Sequence, residues 1–425
     1  MERTLEQPHS VWHAQSVGWH APLADSVETS VCVIGGGVSG LCVALELSRR
    51  GVPVVVLDAR IIAHGQTSRS TAHLVTALDE RYFSLARAHG ASAAHIAARA
   101  HTRAIQWLEN MAHEESIDAS FRRVTGDLVV PENRSDDRER FFEAELAAAT
   151  SAGIECSLIH SASQLVTGHG ASHLQFPNQA VCDPVVYLDG LADAIVRKGG
   201  RIFTQTSVTN VEKGNTVRTE SGHTVRATHI IYACHQPPKE IERGLRSLTP
   251  VTSYAMAYAL AADAHPNPSP EASVLLWDGY WDDPAVPYHY LRIARTADGE
   301  PMLVIGGDDR ESKSPGDAPK HFAAINAWTR MHVPAAGGTL ARWWGRILEP
   351  DGEFALIGPV PELENRYVIA GDSGNGFTYA AIAAEHLADR ITGADIDEEI
   401  AALHAPIDSD RRSQVPFEGR GILMA

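Results

Sequence analysis

The apolar positions of the chain fall into short runs and spaced sets that predict its elements. Val31, Cys32, Val33 and Ile34 form an unbroken β-favouring run ahead of glycines, the pattern of a strand buried on both faces. After Gly35-Gly-Gly37-Val-Ser-Gly40, the residues Leu41, Ala44, Leu45 and Leu47 recur at helical spacing. Val52 to Leu57 predicts a second buried strand, ending at Asp58. Thr228 to Cys234 reads as a short strand ending in small residues. Tyr367 to Ala370 is another, running into the Gly-rich turn Gly371 to Gly376 and a helix through Ala380, Ala381, Ala384 and Leu387. Arg138 to Ala152 is an Ala-rich helical pattern. Val251 to Leu260 alternates Val251, Ser253, Ala255, Ala257 and Ala259 against Thr252, Tyr254, Met256, Tyr258 and Leu260, as a strand does. The segment Ala63 to Val75 predicts a polar loop opening a helix, with Thr67, Ser68, Ser70 and Thr71 as candidate caps. Pro- and Asp-rich connectors lie at Ala264 to Glu271 and Glu311 to Lys320, and no internal repeat is evident.

Composition narrows the class. The 425 residues are 44% hydrophobic and 21% charged, which is globular material and enough for two to three domains. Lys and Arg number 36 against 53 Asp and Glu, a formal charge of −17 that argues against nucleic acid or an anionic membrane as partner. Five scattered cysteines without a C-x-x-C give neither a zinc site nor a disulfide framework, so a reducing compartment is expected. The start of the chain lacks the pattern of a signal peptide, and the best apolar run, Val31 to Leu47, is broken by glycines. A cytoplasmic protein with no membrane span follows as the expectation.

The order strand, Gly35-x-Gly37-x-x-Gly40, helix, strand, Asp58 carries the first chemistry. The glycines permit a tight turn, close approach of backbone N–H groups to a pyrophosphate, and helix-on-strand packing. Asp58, about 20 residues beyond the last glycine, is placed to accept from ribose hydroxyls. The second Gly-rich helix start, at Gly371 to Gly376, presents another set of N–H groups and a positive dipole end. The first motif alone does not separate NAD from FAD; two such sites so far apart in sequence point to one long cofactor spanning both, and FAD rather than NAD has that length.

With these pieces in order, the chain resembles the D-amino-acid-oxidase-like superfamily of FAD-dependent oxidoreductases, and within it the gamma-glutamylputrescine-oxidase-like branch. The likeness runs from Ser10-Val-Trp-His-Ala14 to about His404, through Asp58-Ala-Arg60, Gly65 to Leu74, Thr125 to Leu128, Ile230 to Cys234, Leu276 to Asp278, Pro287 to Arg292, Ile305 to Asp309, Trp344-Gly345 and Gly371 to Thr378. It implies an α/β fold, a Rossmann-type FAD-binding domain interleaved with an antiparallel-sheet, α+β substrate domain. The first would take residues 1–105, 176–248 and 345–425, the second 106–175 and 249–344. It also implies cofactor contacts from Gly35, Gly37, Ser39, Gly40, Asp58, Ala59 and Arg60, and from Thr67, Ser68, Ala72, His73 and Leu74. Val208, Ala233, Gly345, Gly371, Gly374, Asn375, Gly376, Phe377 and Thr378 complete that set. The implied reaction is oxidation of the C–N bond of an amine or amino acid, a hydride passing to flavin N5 and the imine then hydrolysing. Two other readings stay open: a flavin-binding subunit of a hetero-oligomeric dehydrogenase, and an NAD(P)H-dependent flavin hydroxylase. Some similar proteins carry a Rieske domain; no C-x-H…C-x-x-H occurs here, so no built-in iron–sulfur acceptor is expected. Where sarcosine-type oxidases have an oxygen-activating lysine this chain has Thr378, so O2 or another electron acceptor remains open.

Candidate residues on the substrate side are fewer. Strand alternation from Tyr288 puts Tyr290 and Arg292 on one face and His289, Leu291 and Ile293 on the other. Arg69, His289 and Tyr290 are the candidate catalytic residues; Arg292, Trp344 and Arg346 are the candidate substrate contacts, with Arg292 able to grip a carboxylate in a bidentate manner. His289 also reads as a satisfied core histidine, Arg292 as half of a surface ion pair. Arg342 and Arg346 flank Trp343-Trp344-Gly345, so one of them is expected to face the substrate. Trp277, Tyr280 and Trp281 with Asp278 and Asp282 read either as a cage for an ammonium group or as an ordinary loop. His73 closes a run, Thr67 to His73, similar to one in dimethylglycine- and sarcosine-dehydrogenase relatives whose histidine is bonded to the flavin. It therefore reads as a covalent flavin ligand or as a histidine packing beside the ring. In either role a helix N-terminus is expected to lower its pKa.

Overall fold

The computed structural model describes residues 10–14, 19–131, 135–162, 165–260, 273–277, 288–311 and 317–407. The glycine-flanked run near the start becomes the strand Val27–Ile34, at the centre of an eight-stranded sheet. Val54–Leu57 and Thr224–Tyr232 lie parallel on its two sides. Arg201–Phe203 adds one edge, Arg366–Ala370 the other, and Leu356–Pro359 closes that edge antiparallel. A hairpin of Val208–Glu212 and Thr216–Thr219 folds against Thr224–Tyr232.

Both faces of this sheet are covered, which explains why its strands are apolar without alternation. Val31, Val33, Val54 and Val56 pack against the helices Val38–Arg49, Pro184–Arg197 and Gly376–Thr392. Cys32, Ile34, Val55 and Leu57 face a second layer built around Val217, Val225 and Val368. The long helix Ala91–Glu114 lies outside, with Ala100, Ala104 and Leu108 joined to the same core.

The second sheet has nine strands, in the order Ala336–Pro350, Leu248–Leu260, Pro301–Glu311, His289–Arg295, Ser273–Trp277, Arg122–Val129, His173–Val181, His73–Leu74, with Ser157–Ile159 also on His173–Val181. It is antiparallel except where Ser273–Trp277 runs parallel to Arg122–Val129. The alternation of Val251 to Leu260 is kept. Tyr254, Met256, Tyr258 and Leu260 share a core with Phe322, Ile325 and Trp328 of the helix Ala318–His332. The small residues of the strand point the other way, where Ala255 and Ala257 meet the core of the first sheet.

One element differs from expectation. Thr67, Ser68, Ser70 and Thr71 start no helix; the chain makes a three-residue 3-10 turn, Thr67–Arg69, and then the two-residue strand His73–Leu74 paired with Ala180 and Val181. The hydroxyls are taken by local bonds: Ser68 donates to Gly65 O, Ser70 Oγ accepts from Ala72 N–H, and Thr71 Oγ1 lies 2.8 Å from His73 Nδ1. Such local bonding competes with helix formation. Among the described residues no helix is long and apolar enough to cross a membrane, and all five cysteines are free thiols.

Three histidines are buried where the Ala91–Glu114, Gly376–Thr392 and Glu398–Leu403 helices meet. Burial lowers the pKa of His101 from 6.5 to about 3, with His404 adding to it. Burial lowers His404 and His386 to about 4. The folded chain therefore binds fewer protons than the unfolded chain below pH 6.5. Stability is complete above that pH and is lost as pH falls toward 4, at up to about 1.4 kcal/mol per pH unit for each histidine. The melting temperature should be flat near neutrality and fall steadily on acidification. His101→Leu should flatten that slope; an unchanged slope would remove His101 from the account.

Candidate active site

The strands of the first sheet end at a cavity of about 610 Å³ that continues between the two sheets, within the roughly 300–1,000 Å³ span of cofactor and ligand pockets. At one end the Gly35 to Gly40 turn leads into the helix Val38–Arg49. Gly35 has φ +115°, and a Cβ there would lie 2.4 Å from Ala233 O. A Cβ on Gly40 would come within 1.9 Å of Gly35 O, so Gly40 permits the helix to sit on the strand and does not reach the cavity. Gly37 does line it; a Cβ there would only touch Thr67 Oγ1 at 3.4 Å.

Asp58 is fixed by backbone donors. Its Oδ2 accepts from Gly36 N–H at 2.7 Å and its Oδ1 from Arg60 N–H at 2.7 Å. This aims the carboxylate at the cavity beside Ala59 and Ala233. Arg60 reaches over Gly65, and Arg69 donates to Gly65 O at 3.0 Å. Burial and then the nearby Arg60 lower the pKa of Arg69. Both arginines line the cavity, so Arg69 lies on the Asp58 side of it.

A second helix N-terminus reaches the wall at Asn375, Gly376 and Phe377, after the turn through Gly371 and Gly374. Neither this helix nor Val38–Arg49 carries an acidic residue in its first turn, which leaves two positive dipole ends facing the space. Thr378 is buried behind Phe377, its hydroxyl donating to Asn375 O at 3.0 Å, and is not on the wall. Ser68, Ala72 and Leu74 are likewise buried behind the lining, whereas Thr67, Ser39 and Val208 form part of it.

The far end is aromatic. Tyr290 is on the wall, its ring packed where a Cβ on Gly306 would be and its hydroxyl 3.1 Å from Ser253 Oγ. His73 lies against it, ring centroids 4.9 Å apart. Burial lowers the pKa of His73 from 6.5 to about 4, with Asp79 opposing and Arg292 assisting, so the ring is neutral. The cause is burial in a strand, not the helix N-terminus expected from the sequence. Tyr288 donates to Asp79 Oδ1 at 2.7 Å, and both residues line the cavity.

Three sequence-derived candidates lie elsewhere. His289 is on the opposite face of its strand, stacked on Trp328 at 4.2 Å, because alternate strand residues point to opposite sides. Trp344 takes the same side, in the core with Tyr254 and Met256, and Arg342 covers Phe322. Arg292 shares the face of Tyr290 but lies beyond the cavity: its guanidinium is 5.1 Å from the Trp12 ring, donates to Cys182 O at 2.9 Å, and is lowered to about 10 by burial. Arg346 and Gly345 do line the cavity. Residues 278–287, with the possible Tyr280 and Trp281 cage, lie outside the described residues.

Sequence reasoning missed Gln66, Asp79, Ser253 and Trp343. Gln66 Oε1 accepts from Arg346 N–H at 2.8 Å, and Trp343 Nε1 donates to Arg69 O at 2.8 Å. The one usable signal was the pair Trp343-Trp344, since a strand must send one of them to each side. Asp79 is paired to a tyrosine more than 200 residues away, and no local pattern marks it.

Comparison with known proteins follows the same lines. A family model described as FAD dependent oxidoreductase (DAO) matches residues 30–390. The chain is 26% identical to the putative Rieske 2Fe-2S iron-sulfur protein YhfW of Bacillus subtilis (strain 168), over 91% of this chain and 73% of that protein. It is also 26% identical to gamma-glutamylputrescine oxidoreductase of Escherichia coli (strain K12), over 97% of this chain and 96% of the relative. Among solved structures, L-proline dehydrogenase from P. horikoshii superposes with a TM-score of 0.69 at 18% identity, covering 90% of this chain and 97% of that one. NikD, an amino acid oxidase of nikkomycin biosynthesis, gives 0.70 at 17% identity, covering 90% and 98%. At those identities the likeness shows a shared fold.

The two glycines make a test of the turn. Gly40→Ala should lower folded yield and melting temperature sharply, because its Cβ meets backbone. Gly37→Ala should melt within about 2 °C of the parent and alter only what the cavity binds. Equal effects on melting would contradict this division.

Proposed function

The chain belongs to the DAO family of FAD-dependent oxidoreductases, and from that premise we propose that it oxidises the C–N bond of an amine or amino acid. The relatives named as a gamma-glutamylputrescine oxidoreductase and as an amino acid oxidase support this reading. The observation that carries it is the single cavity running from Asp58, past two helix N-termini, to Tyr288 and Tyr290. When bound, FAD supplies the two-electron acceptor; the protein supplies binding, orientation and exclusion of water.

In this reading Asp58 accepts from the ribose of the adenosine half. Arg60, Arg69 and the N–H groups at Gly37 face the pyrophosphate, where cations and a helix dipole favour an anion. The glycines fit that role, since Gly37, Gly345 and Gly374 each leave room that a side chain would narrow. Gly345 and the Gly371 to Phe377 turn hold the flavin half. Arg69, a candidate catalytic residue from the sequence, is placed in this proposal as a cofactor anchor, since its guanidinium bonds Gly65 O beside Arg60. Tyr290 orients substrate at the far end, with Ser253 fixing its hydroxyl. The division into cofactor segments 1–105, 176–248 and 345–425 and substrate segments 106–175 and 249–344 belongs to the same proposal, as does a cytoplasmic location.

The deciding experiment is anaerobic mixing of the FAD-loaded protein with a panel of amines and amino acids. Bleaching of the visible flavin band without NAD(P)H is expected; bleaching by NAD(P)H alone would refute the reading. Asp58→Ala should weaken FAD binding about ten- to hundredfold, as loss of a charged acceptor costs ~1.5–3 kcal/mol. Arg69→Ala should weaken it too and reduce its salt dependence, measured by titrating apoprotein with FAD. Unchanged dissociation constants in both variants would move the cofactor elsewhere in the cavity.

A further inference from the structure

The strand Thr224–Tyr232 runs into Ala233, Cys234 and His235, and all three line the cavity. The segment lies against the first glycine turn: a Cβ on Gly35 would be 2.4 Å from Ala233 O and 3.1 Å from Cys234 Cα. His235 has φ +64°, a left-handed conformation unfavourable for a side chain of this size. Its Nε2 is buried with no hydrogen-bond partner. Burial lowers the pKa of the imidazole, with Asp372 opposing and Arg346 assisting, so the ring is neutral. Asp372 belongs to the second glycine turn, its Oδ2 2.9 Å from where a Cβ on Gly376 would be. Val38 of the first helix comes within 4.0 Å of the same point. His235 therefore stands where the two turns meet. Strain and an orphaned nitrogen at one wall residue point to a contact made from the cavity side.

We propose that His235 donates a hydrogen bond from Nδ1 to the flavin-side phosphate of FAD, a cofactor contact beyond the glycines, Asp58 and the arginines. This rests on the cofactor placement proposed above and fixes one point along it. A neutral imidazole carries one ring N–H. On Nε2 that proton would be buried with no acceptor, which costs more than an unpaired lone pair, so it sits on Nδ1, the nitrogen left to meet the cavity. The pyrophosphate follows the Gly37 turn and the flavin half follows the Gly371 to Phe377 turn. A donor between them meets the phosphate nearer the flavin. A neutral donor suits this point, because a full positive charge would be drawn to Asp372 instead of to the phosphate.

The test titrates apoprotein with FAD and uses two replacements that suit a positive φ. Glycine removes the side chain and relieves the backbone; asparagine tolerates the conformation and keeps an amide donor near the Nδ1 position. His235→Gly should melt, as apoprotein, within about 2 °C of the parent or above it, yet bind FAD about tenfold or more weakly. His235→Asn should bind within about threefold of the parent. ADP, which carries both phosphates, should lose affinity for His235→Gly by about the same factor as FAD, whereas AMP should not. Parental FAD affinity in His235→Gly, no recovery in His235→Asn, or weaker FAD binding without weaker ADP binding overturns the proposal. So does an equal loss for AMP, which would place the contact on the adenosine side. A lower melting temperature accompanying the loss in His235→Gly would make His235 a structural residue and overturn it too. Asp58→Ala titrated in parallel separates the two readings. If it weakens FAD binding and His235→Gly does not, this contact alone fails; if neither does, the cofactor placement fails with it.

Discussion

The loop from Gly65 to Leu74 is the seam on which the rest of the molecule depends. Thr67 Oγ1 accepts from Val38 N–H, tying the loop to the first helix of the parallel sheet. Gln66 accepts from Arg346 N–H and Arg69 O accepts from the Trp343 indole, tying it to the longest strand of the other sheet. Trp12 adds an indole bond to Ser70 O from the leader. Each bond joins elements far apart in sequence, and together they hold two sheets at the spacing that leaves a cavity between them. The residues nearest the cofactor end are therefore held by the same contacts that join the two halves.

That arrangement also sets the charge along the cavity. Helix N-termini and arginines collect where strands of the parallel sheet end, because the glycine turns that open those helices lie there. The antiparallel sheet contributes Tyr290 and Asp309, while Asp79, from the loop after His73–Leu74, lies 3.5 Å from Asn375 at the start of the second helix. In the proposed reading an elongated, partly anionic cofactor lies along the helix ends, and the amine meets Tyr288 and Tyr290. The neutral His73 sits at the border, its proton affinity lowered by burial and partly restored by Asp79.

The sequence made the parallel sheet legible because its signal is local: apolar runs, glycines and an acid in fixed order. The same holds for Gly35, Gly37 and Asp58, which reach the cavity as the motif requires. Gly40 is part of the motif for packing and not for contact. On the other sheet the alternation correctly paired Tyr290 with Arg292, yet it could not say where along that face the cavity stops. Arg292 passes its end. Nor could it choose a side for His289 or Trp344, since period two gives relative faces and tertiary packing alone gives the absolute one. The helix expected after Thr67 failed because the Ser68, Ser70 and Thr71 hydroxyls bond locally in the turn and that of Thr67 is taken by Val38 N–H.

The strand Leu248–Leu260 shows how one element serves both requirements. Its even-numbered residues, Tyr254, Met256 and Tyr258, are large and fill the core beneath the Ala318–His332 helix. Its odd-numbered neighbours, Ser253 and Ala255, are small and stand on the cavity wall. Enlarging Ser253 would take volume from the cavity, enlarging Ala255 or Ala257 would also press on the core of the first sheet, and trimming the large face would open a void beneath the helix without reaching the cavity. Tyr290 follows the same logic across the sheet, since its ring occupies the space that Gly306 leaves. The large face thus serves stability alone, whereas the small face serves both the cavity wall and the packing of the first sheet, so the substrate wall can change most freely at Ser253.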